Sequence, residues 1–246
     1  MNAIVGTLPA IVLKFSNKSI YKKLYRLMNE YGFVDKSLND KLIKLIPKDE
    51  DIVIGSVGSS SFYYNPDSLT EKNRAELIEY YKKLKINPDN LTSLSAYLYH
   101  SVLYNKKLII ISLLESATPV LAHEMGHMFE DLRGGWTKFL QGNKIVKGMS
   151  RNEKIKSVSS FCLALFGQTI SSYIVPIILS SPQLITEFMA SKIGYDLLKE
   201  AGANKDQLDK SIKCLSSAWG TYLLGSITTS LNGQIRGSLL RAILVR

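Results

Sequence analysis

Thiols, histidines and acidic side chains are scarce in this chain. Its two cysteines, Cys162 and Cys214, lie in apolar, uncharged stretches, which excludes a disulfide framework and predicts two reduced, buried thiols. Only 21 acidic residues stand against 31 basic ones, for a formal net charge of +10, so an anionic partner is favoured. The basic residues are scattered without interleaved aromatics, which argues against nucleic acid and for an anionic lipid surface.

A phosphate-binding loop and a signal peptide are also missing. The stretch from Asp51 to Tyr64 is rich in glycine and serine but lacks the lysine and following helix of a phosphate loop, so it predicts strands around a turn. No basic residue precedes the apolar run of residues 1–15, and no small-residue cleavage site follows it. That run is therefore a poor signal peptide, and it is too short to cross a bilayer alone.

Two of the three histidines form the most informative motif of the chain. His123 and His127 enclose Glu124 in a His-Glu-x-x-His pattern, which on a helix places both imidazoles on one face and is the zinc peptidase signature. Thr118-Pro119 predicts the start of that helix and Gly134-Gly135 its end. The alternative is that both histidines are ordinary polar residues on an amphipathic helix.

A catalytic zinc needs a third protein ligand. No histidine follows His127, which excludes the metzincin pattern and leaves a carboxylate on a second helix. We predict that helix between Ser181-Pro182 and Gly202. Its Glu187 lies among apolar residues, where an unpaired carboxylate is costly, so Glu187 is the candidate ligand. The alternative is a glutamate on the exposed stripe of the helix.

These two segments carry a family resemblance, which covers roughly Tyr97 to Gly202. His123 to His127, with Glu187-Phe-Met-Ala-Ser191, resembles the neutral zinc metallopeptidases of bacterial membranes, and is more distantly similar to membrane proteases of the HtpX and CAAX prenyl protease type. The resemblance implies Zn²⁺ held by His123, His127 and Glu187. Ser191 stands where the HtpX type has an aspartate that orients a ligand histidine.

The motif predicts a zinc metalloendopeptidase, and the resemblance implies that it is membrane-associated. Glu124 would act as general base on a zinc-activated water, and Tyr195, two turns beyond Glu187, is the candidate donor to the oxyanion. The rival hypothesis is a non-enzymatic, membrane-associated binding module whose metal is structural or absent.

Two long stretches without charge suggest how the chain meets a membrane. Residues 157–181 and 214–235 carry no charged side chain. One straight crossing by residues 157–181 would put Glu187 and His123 on opposite sides, so this stretch is a re-entrant hairpin broken near Gly167, a pair of helices in the membrane face, or a buried core element. The flanking lysines and arginines favour a cytoplasmic-facing catalytic region.

The predicted fold is α+β and mainly α: a zincin-like core with a small antiparallel sheet and hydrophobic helices suited to membrane insertion. Three regions are expected, namely residues 1–92, a metal-binding core at 93–202 with the insert 157–181, and a hydrophobic helical region at 203–246. Helices are predicted at 18–31, 38–45, 69–84 and from 205. A strand hairpin is predicted at 94–102 and 106–112, its second strand placed to pair with a substrate backbone.

Overall fold

The computed structural model describes residues 2–57, 61–112, 117–134 and 144–244, and it is 75% helical with a small sheet. The helices are α1 (Asn2–Tyr31), α2 (Lys36–Lys44), α3 (Glu71–Lys83), α4 (Leu94–Tyr104), α5 (Thr118–Arg133), α6 (Lys144–Arg151), α7 (Glu153–Leu165), α8 (Thr169–Glu200) and α9 (Lys205–Leu244), with a short 3-10 helix at Pro66–Ser68. The strands are β1 (Ile52–Ser56), β2 (Phe62–Tyr64) and β3 (Lys107–Ile111). The mainly helical class is confirmed.

Two compact units make up the chain. The sheet unit contains Tyr31–Phe129 and Ala190–Ile212, and the helical unit contains Met1–Glu30, Glu130–Met189 and Lys213–Arg246. Each unit therefore draws on segments far apart in sequence. The predicted boundaries after residues 92 and 202 stay predictions.

The sheet is mixed, so the prediction of an antiparallel sheet is wrong. Its order is β1-β3-β2, with β3 parallel to β1 and antiparallel to β2. The central strand β3 holds the continuous apolar run from Leu108 to Ile111, all of it buried, as expected for a strand that is covered on both faces. On β1, Gly55 leaves room for the ring of Tyr97 from α4.

The predicted strand hairpin is also wrong in its first half, because residues 94–104 form helix α4. The Ser93 hydroxyl caps this helix by accepting a hydrogen bond from the Ala96 amide at 3.2 Å, and Asn105 ends it in the left-handed conformation with φ 56°. The backbone of Leu108 to Ile110 is paired with β1 on one side and with β2 on the other. It is therefore not available to pair with a substrate as we had expected.

Helix α8 begins at Thr169 rather than at the predicted Ser181-Pro182, and it continues through two prolines, Pro176 and Pro182. Each proline lacks an amide hydrogen, so the carbonyl four residues earlier loses its helical donor. Serine hydroxyls lie at both freed carbonyls: the Ser181 hydroxyl donates to the Ile178 carbonyl at 2.7 Å. The single hydroxyl hydrogen of Ser160 on α7 is shared between the Ser172 carbonyl at 2.7 Å and the Ser230 carbonyl at 2.6 Å. The prolines are tolerated because their freed carbonyls remain hydrogen-bonded.

The uncharged stretch of residues 157–181 folds as two helices, α7 and the start of α8, joined at Gly167 with φ +82°. The break near Gly167 is thus confirmed, whereas re-entry into a membrane stays a prediction. Helix α8 is long and apolar enough to cross a membrane, by length and composition. Neither cysteine forms a disulfide; Cys162 on α7 is exposed and Cys214 is buried, so the prediction of two buried thiols is wrong for Cys162.

Candidate metal centre

The first residue of α5 anchors this helix to the segment before α2. The Thr118 amide donates to the Phe33 carbonyl at 2.7 Å, and the Thr118 hydroxyl accepts from the Asp35 amide at 2.9 Å. The carboxylate of Asp35 caps α2 and also accepts from Gln207. The hydrogen bond from the Leu38 amide is the main cause that lowers the pKa of Asp35. The Thr118 hydroxyl thus joins the start of α5 to the segment before α2.

The end of α5 lies where the glycines predicted it. The helix stops at Arg133, and Gly134 follows with φ 66°, a left-handed conformation that is cheapest for glycine. Gly135 lies outside the described residues. The His-Glu-x-x-His motif is therefore carried by one regular helix with defined ends.

Helices α5 and α8 approach each other at small residues within the sheet unit. A Cβ atom placed on Gly126 of α5 would lie 2.1 Å from the carbonyl oxygen of Ala190 on α8. Reciprocally, a Cβ atom on Gly194 of α8 would lie 2.6 Å from the carbonyl oxygen of Ala122 on α5. Both distances are too short for any side chain, so the two backbones are in direct contact. This close approach brings α8 beside the histidine pair.

The structure brings together the three residues that the sequence proposed as ligands. Glu187 lies one turn before Ala190 on α8. One carboxylate oxygen of Glu187 and one ring nitrogen each of His123 and His127 lie within 4.8 Å of one another. His123 is buried, while His127 and Glu187 are half-buried. The two imidazole rings have centroids 4.7 Å apart and are nearly perpendicular, at 81°. This grouping could hold one metal ion.

The donor set fits zinc. Two imidazole nitrogens and one carboxylate oxygen are a protein ligand set of catalytic zinc sites, which leave the fourth position to water. Donors around a tetrahedral zinc are separated by about 3.4 Å, so rotations of these side chains would bring the three atoms to one ion. Among the residues that the structure describes, this is the group that satisfies the spacing of a metal site.

Ser191 orients the first histidine. Its hydroxyl lies 3.1 Å from Nδ1 of His123, one turn beyond Glu187 on the same helix. A hydrogen bond to Nδ1 leaves Nε2 available to a metal and fixes the ring plane. Ser191 thus occupies the place that the resemblance gives to an aspartate, with a shorter and neutral side chain.

Two predicted catalytic residues remain. Glu124 lies beside the cluster of candidate ligands, and Tyr195 lies farther along α8. Glu124 follows His123 directly and is only 6% exposed, so a carboxylate is held in a largely desolvated setting next to the ligands. Tyr195 is half-buried on α8, eight residues beyond Glu187, which is about 12 Å along the helix axis. Its role as an oxyanion donor stays a prediction.

The third histidine, His100, has a structural role. His100 lies on α4 with Nδ1 3.0 Å from the carbonyl oxygen of Pro88, and its ring contacts Tyr104 at a centroid distance of 4.6 Å. The Tyr104 hydroxyl donates to Asp89 at 3.1 Å. These contacts fasten the segment around Pro88 to α4, as expected for a structural histidine.

Sequence reasoning missed the residues that set the distance between the two helices. Ala122 and Gly126 are four residues apart on α5, as are Ala190 and Gly194 on α8. Small residues at this spacing on two helices allow close backbone approach, so the signal was present in the sequence.

Comparisons of the chain with protein-family models, with curated proteins and with solved structures found no match.

Proposed function

We propose that this protein is a membrane-associated, zinc-dependent metalloendopeptidase. The observation that carries the proposal is the convergence of His123, His127 and Glu187, whose donor atoms lie within 4.8 Å of one another although Glu187 is 60 residues from His127 in sequence. Among the described residues the cluster offers three protein ligands, which favours a catalytic site over a structural one, because structural zinc sites are closed by four. This favours the peptidase over the rival of a binding module with a structural metal.

Each residue of the centre has a role that its position supports. The ion would be held by His123, His127 and Glu187. The hydroxyl of Ser191 would fix the plane of the His123 ring. Zinc, when bound, supplies a Lewis acid that lowers the pKa of a water toward about 7 and polarises a carbonyl. The Glu124 carboxylate takes the proton of the attacking water and delivers it to the leaving amine nitrogen as the peptide bond breaks.

Peptide hydrolysis that depends on zinc tests this proposal. We expect the purified protein to cleave denatured, fluorescently labelled casein, to lose that activity with a chelator such as 1,10-phenanthroline, and to regain it with added Zn²⁺. Zinc restores the activity because the ion is required for the chemical step. Cleavage that persists in the chelator, or a zinc-loaded protein without cleavage, would contradict the assignment.

The helical unit supplies the membrane-associated part of the proposal. Along α8 a row of large apolar side chains at helical spacing is exposed, comprising Ile170 (74%), Ile174 (49%), Ile178 (61%), Ile185 (45%) and Phe188 (54%). Phe166, in the turn before α8, is 78% exposed. The row is about 27 Å long, close to the thickness of a bilayer's hydrocarbon core, about 30 Å.

Polar side chains are buried inside the same unit. Six of them on α7, α8 and α9 are at most 1% exposed: Lys156, Ser160, Ser172, Ser180, Ser230 and Gln234. A helix of a water-soluble protein places its apolar stripe inward and its polar residues outward, whereas this unit combines buried polar groups with an apolar exterior. An exterior of this size is expected to contact lipid chains.

Basic residues at the edges of the helical unit suggest that the lipid is anionic. Lys154, Arg236 and Arg241 are exposed, and they lie just outside or at the end of the uncharged stretches. Each lysine or arginine near an anionic surface contributes on the order of 1 kcal/mol of attraction. The side of the membrane on which the metal centre lies stays a prediction.

Vesicle flotation tests the membrane contact. We expect the wild type to float with phosphatidylcholine vesicles that contain phosphatidylglycerol, even in 1 M salt (roughly a 3 Å screening length), because insertion of apolar surface does not depend on charge. The triple variant I170N/I174N/I178N should remain at the bottom of the gradient. As a control, Tyr80→Asn with Leu84→Asn, which alters exposed apolar residues of the sheet unit, should still float. A wild type that stays soluble without detergent would refute the lipid contact.

A further inference from the structure

Within the helical unit, α8 packs along α9 in the antiparallel direction. The Trp219 indole of α9 donates to the Leu184 carbonyl of α8 at 2.9 Å. Farther along, the Ser160 hydroxyl lies 2.7 Å from the Ser172 carbonyl of α8 and 2.6 Å from the Ser230 carbonyl of α9. Residue numbers on α8 therefore fall as those on α9 rise, and these contacts align the two helices residue by residue.

Helix α1 packs along α9 in the same unit. A Cβ atom placed on Gly220 of α9 would lie 3.1 Å from the Leu24 side chain of α1. The Cys214 thiol of α9 donates to the Met28 carbonyl of α1 at 3.7 Å. Helix α1 is thus also antiparallel to α9, and it runs in the same direction as α8.

The contacts with α1 and with α8 lie on opposite sides of α9. Around the helix axis Trp219 and Ser230, which face α8, differ by only about 20°. Gly220 and Cys214, which face α1, lie at about 100° and 220° from Trp219 and are centred about 160° away from it. Helix α9 therefore separates α1 from α8.

The outer faces of α1 and α8 differ in charge. On α8 the residues Ser172, Ser180 and Leu184 are buried, and the exposed apolar row from Ile170 to Phe188 lies on the other side of the helix. On α1 the side about 120–260° away from Leu24 is solvent-exposed and carries four basic residues, here called the basic face: Lys18, Lys22, Lys23 and Arg26.

The basic face and the apolar row lie at the same level along the helices. Leu24 of α1 and Leu184 of α8 contact adjacent residues of α9. Six residues before each of them, about 9 Å along the axis, are Lys18 and Ile178, and Ile178 is near the middle of the apolar row. If the row crossed a bilayer, Lys18 would therefore lie near the bilayer midplane, the most costly depth for a charged side chain.

We infer that the helical unit lies in one leaflet with its helices parallel to the membrane plane, so that the apolar row of α8 contacts lipid chains and the basic face of α1 stays in water. This inference rests on the proposed membrane association and specifies its geometry. Length and composition alone would allow α8 to cross, but the crossing would carry the basic face into the hydrocarbon core. In the in-plane orientation the row is buried at the boundary of headgroups and acyl chains, and the basic face remains hydrated.

The depth of three labels along α8 tests this orientation. Ile170→Cys, Ile178→Cys and Phe188→Cys, each in a Cys162→Ser background because Cys214 is buried, would carry one environment-sensitive fluorophore. The vesicles contain phosphatidylcholine and phosphatidylglycerol, with nitroxide quenchers at two known chain depths. We expect the three labels at the same depth. A middle label deeper than the outer two by about 12 and 15 Å, the distances along a crossing helix, would overturn the inference.

A label on the basic face gives an independent measurement. Lys22→Cys in the same background leaves the apolar row intact, so it reports even where a label in the row weakens lipid binding. We expect its fluorophore to be quenched by iodide in the water and to be unaffected by the nitroxides. Quenching by the nitroxides with protection from iodide would contradict the in-plane orientation.

The outcomes also separate this inference from the proposal on which it rests. A wild type that does not float with the vesicles would contradict the membrane association itself. A wild type that floats, with labels at graded depths along α8, would overturn only the in-plane orientation.

Discussion

Glu124→Gln is expected to lower casein hydrolysis by about 10²–10⁴-fold, the usual contribution of a general base, while the purified protein keeps its zinc. Glutamine has the shape of glutamate but cannot accept the proton of the attacking water. Glu124 follows His123 on α5 and is 6% exposed, so bulk water cannot readily replace it as the base. The measurement is the initial rate of cleavage at matched zinc content, with zinc determined on the same sample.

A neighbouring acid provides the control. Asp131→Asn changes a charge on the same helix two turns away, at a half-exposed position, and should leave the rate within about threefold, as expected of a surface change (under about 0.5 kcal/mol). Retained hydrolysis in Glu124→Gln would remove Glu124 from the mechanism. Loss of zinc from Glu124→Gln would instead show that this residue supports metal binding.

Gly126→Ala is expected to raise the dissociation constant for Zn²⁺ by more than about 100-fold. This exceeds the usual effect of mutating a residue that hydrogen-bonds to a metal ligand. The new methyl group would lie 2.1 Å from the carbonyl oxygen of Ala190, so α5 and α8 must move apart. That movement carries Glu187 away from the histidine pair, because Glu187 is one turn from Ala190 on the same rigid helix. Forced overpacking should also lower the free energy of unfolding by about 1–3 kcal/mol.

Gly225→Ala is the matched control for this change. Gly225 also lies inside a helix, but a Cβ atom built on it meets nothing within 4 Å. The substitution should leave zinc affinity unchanged and raise the free energy of unfolding by roughly 0.5–1 kcal/mol, the difference between alanine and glycine in a helix. Equal zinc affinity in Gly126→Ala and the wild type would show that the metal centre does not depend on the contact of the two helices.

The sequence predicted the metal helix well because its information is local. Helix α5 runs from Thr118 to Arg133, as the Thr118-Pro119 start and the Gly134 end indicated, and the spacing of His123 and His127 fixes their common face whatever surrounds the helix. Glu187 was identified from its apolar neighbours and from a resemblance, and the structure places it at the pair. The zincin-like core and the zinc itself stay predictions.

One error arose where distant contacts overrode local preference, and the other where a local hydrogen bond was overlooked. Residues 94–102 contain two tyrosines and a valine, which favour a strand, but the Ser93 cap and the packing of Ala96, Tyr99 and Val102 into the core stabilise helix α4. Pro182 was read as a helix start, yet α8 passes through it because a serine hydroxyl satisfies the carbonyl that the proline leaves free. The ring of Tyr99 stacks on Tyr81 of α3, a partner that lies outside the sequence around α4, whereas the serine that serves Pro182 is its direct neighbour.

Zinc content is the most direct test of the central claim, which is that two helices distant in sequence share one ion. We predict about one zinc per chain in the purified wild type. The dissociation constant for Zn²⁺ should rise by more than about 100-fold in both His123→Ala and Glu187→Ala, because each variant removes a direct ligand of the ion rather than a residue that hydrogen-bonds to a ligand. Wild-type zinc affinity in Glu187→Ala, or a wild type without zinc, would contradict the account.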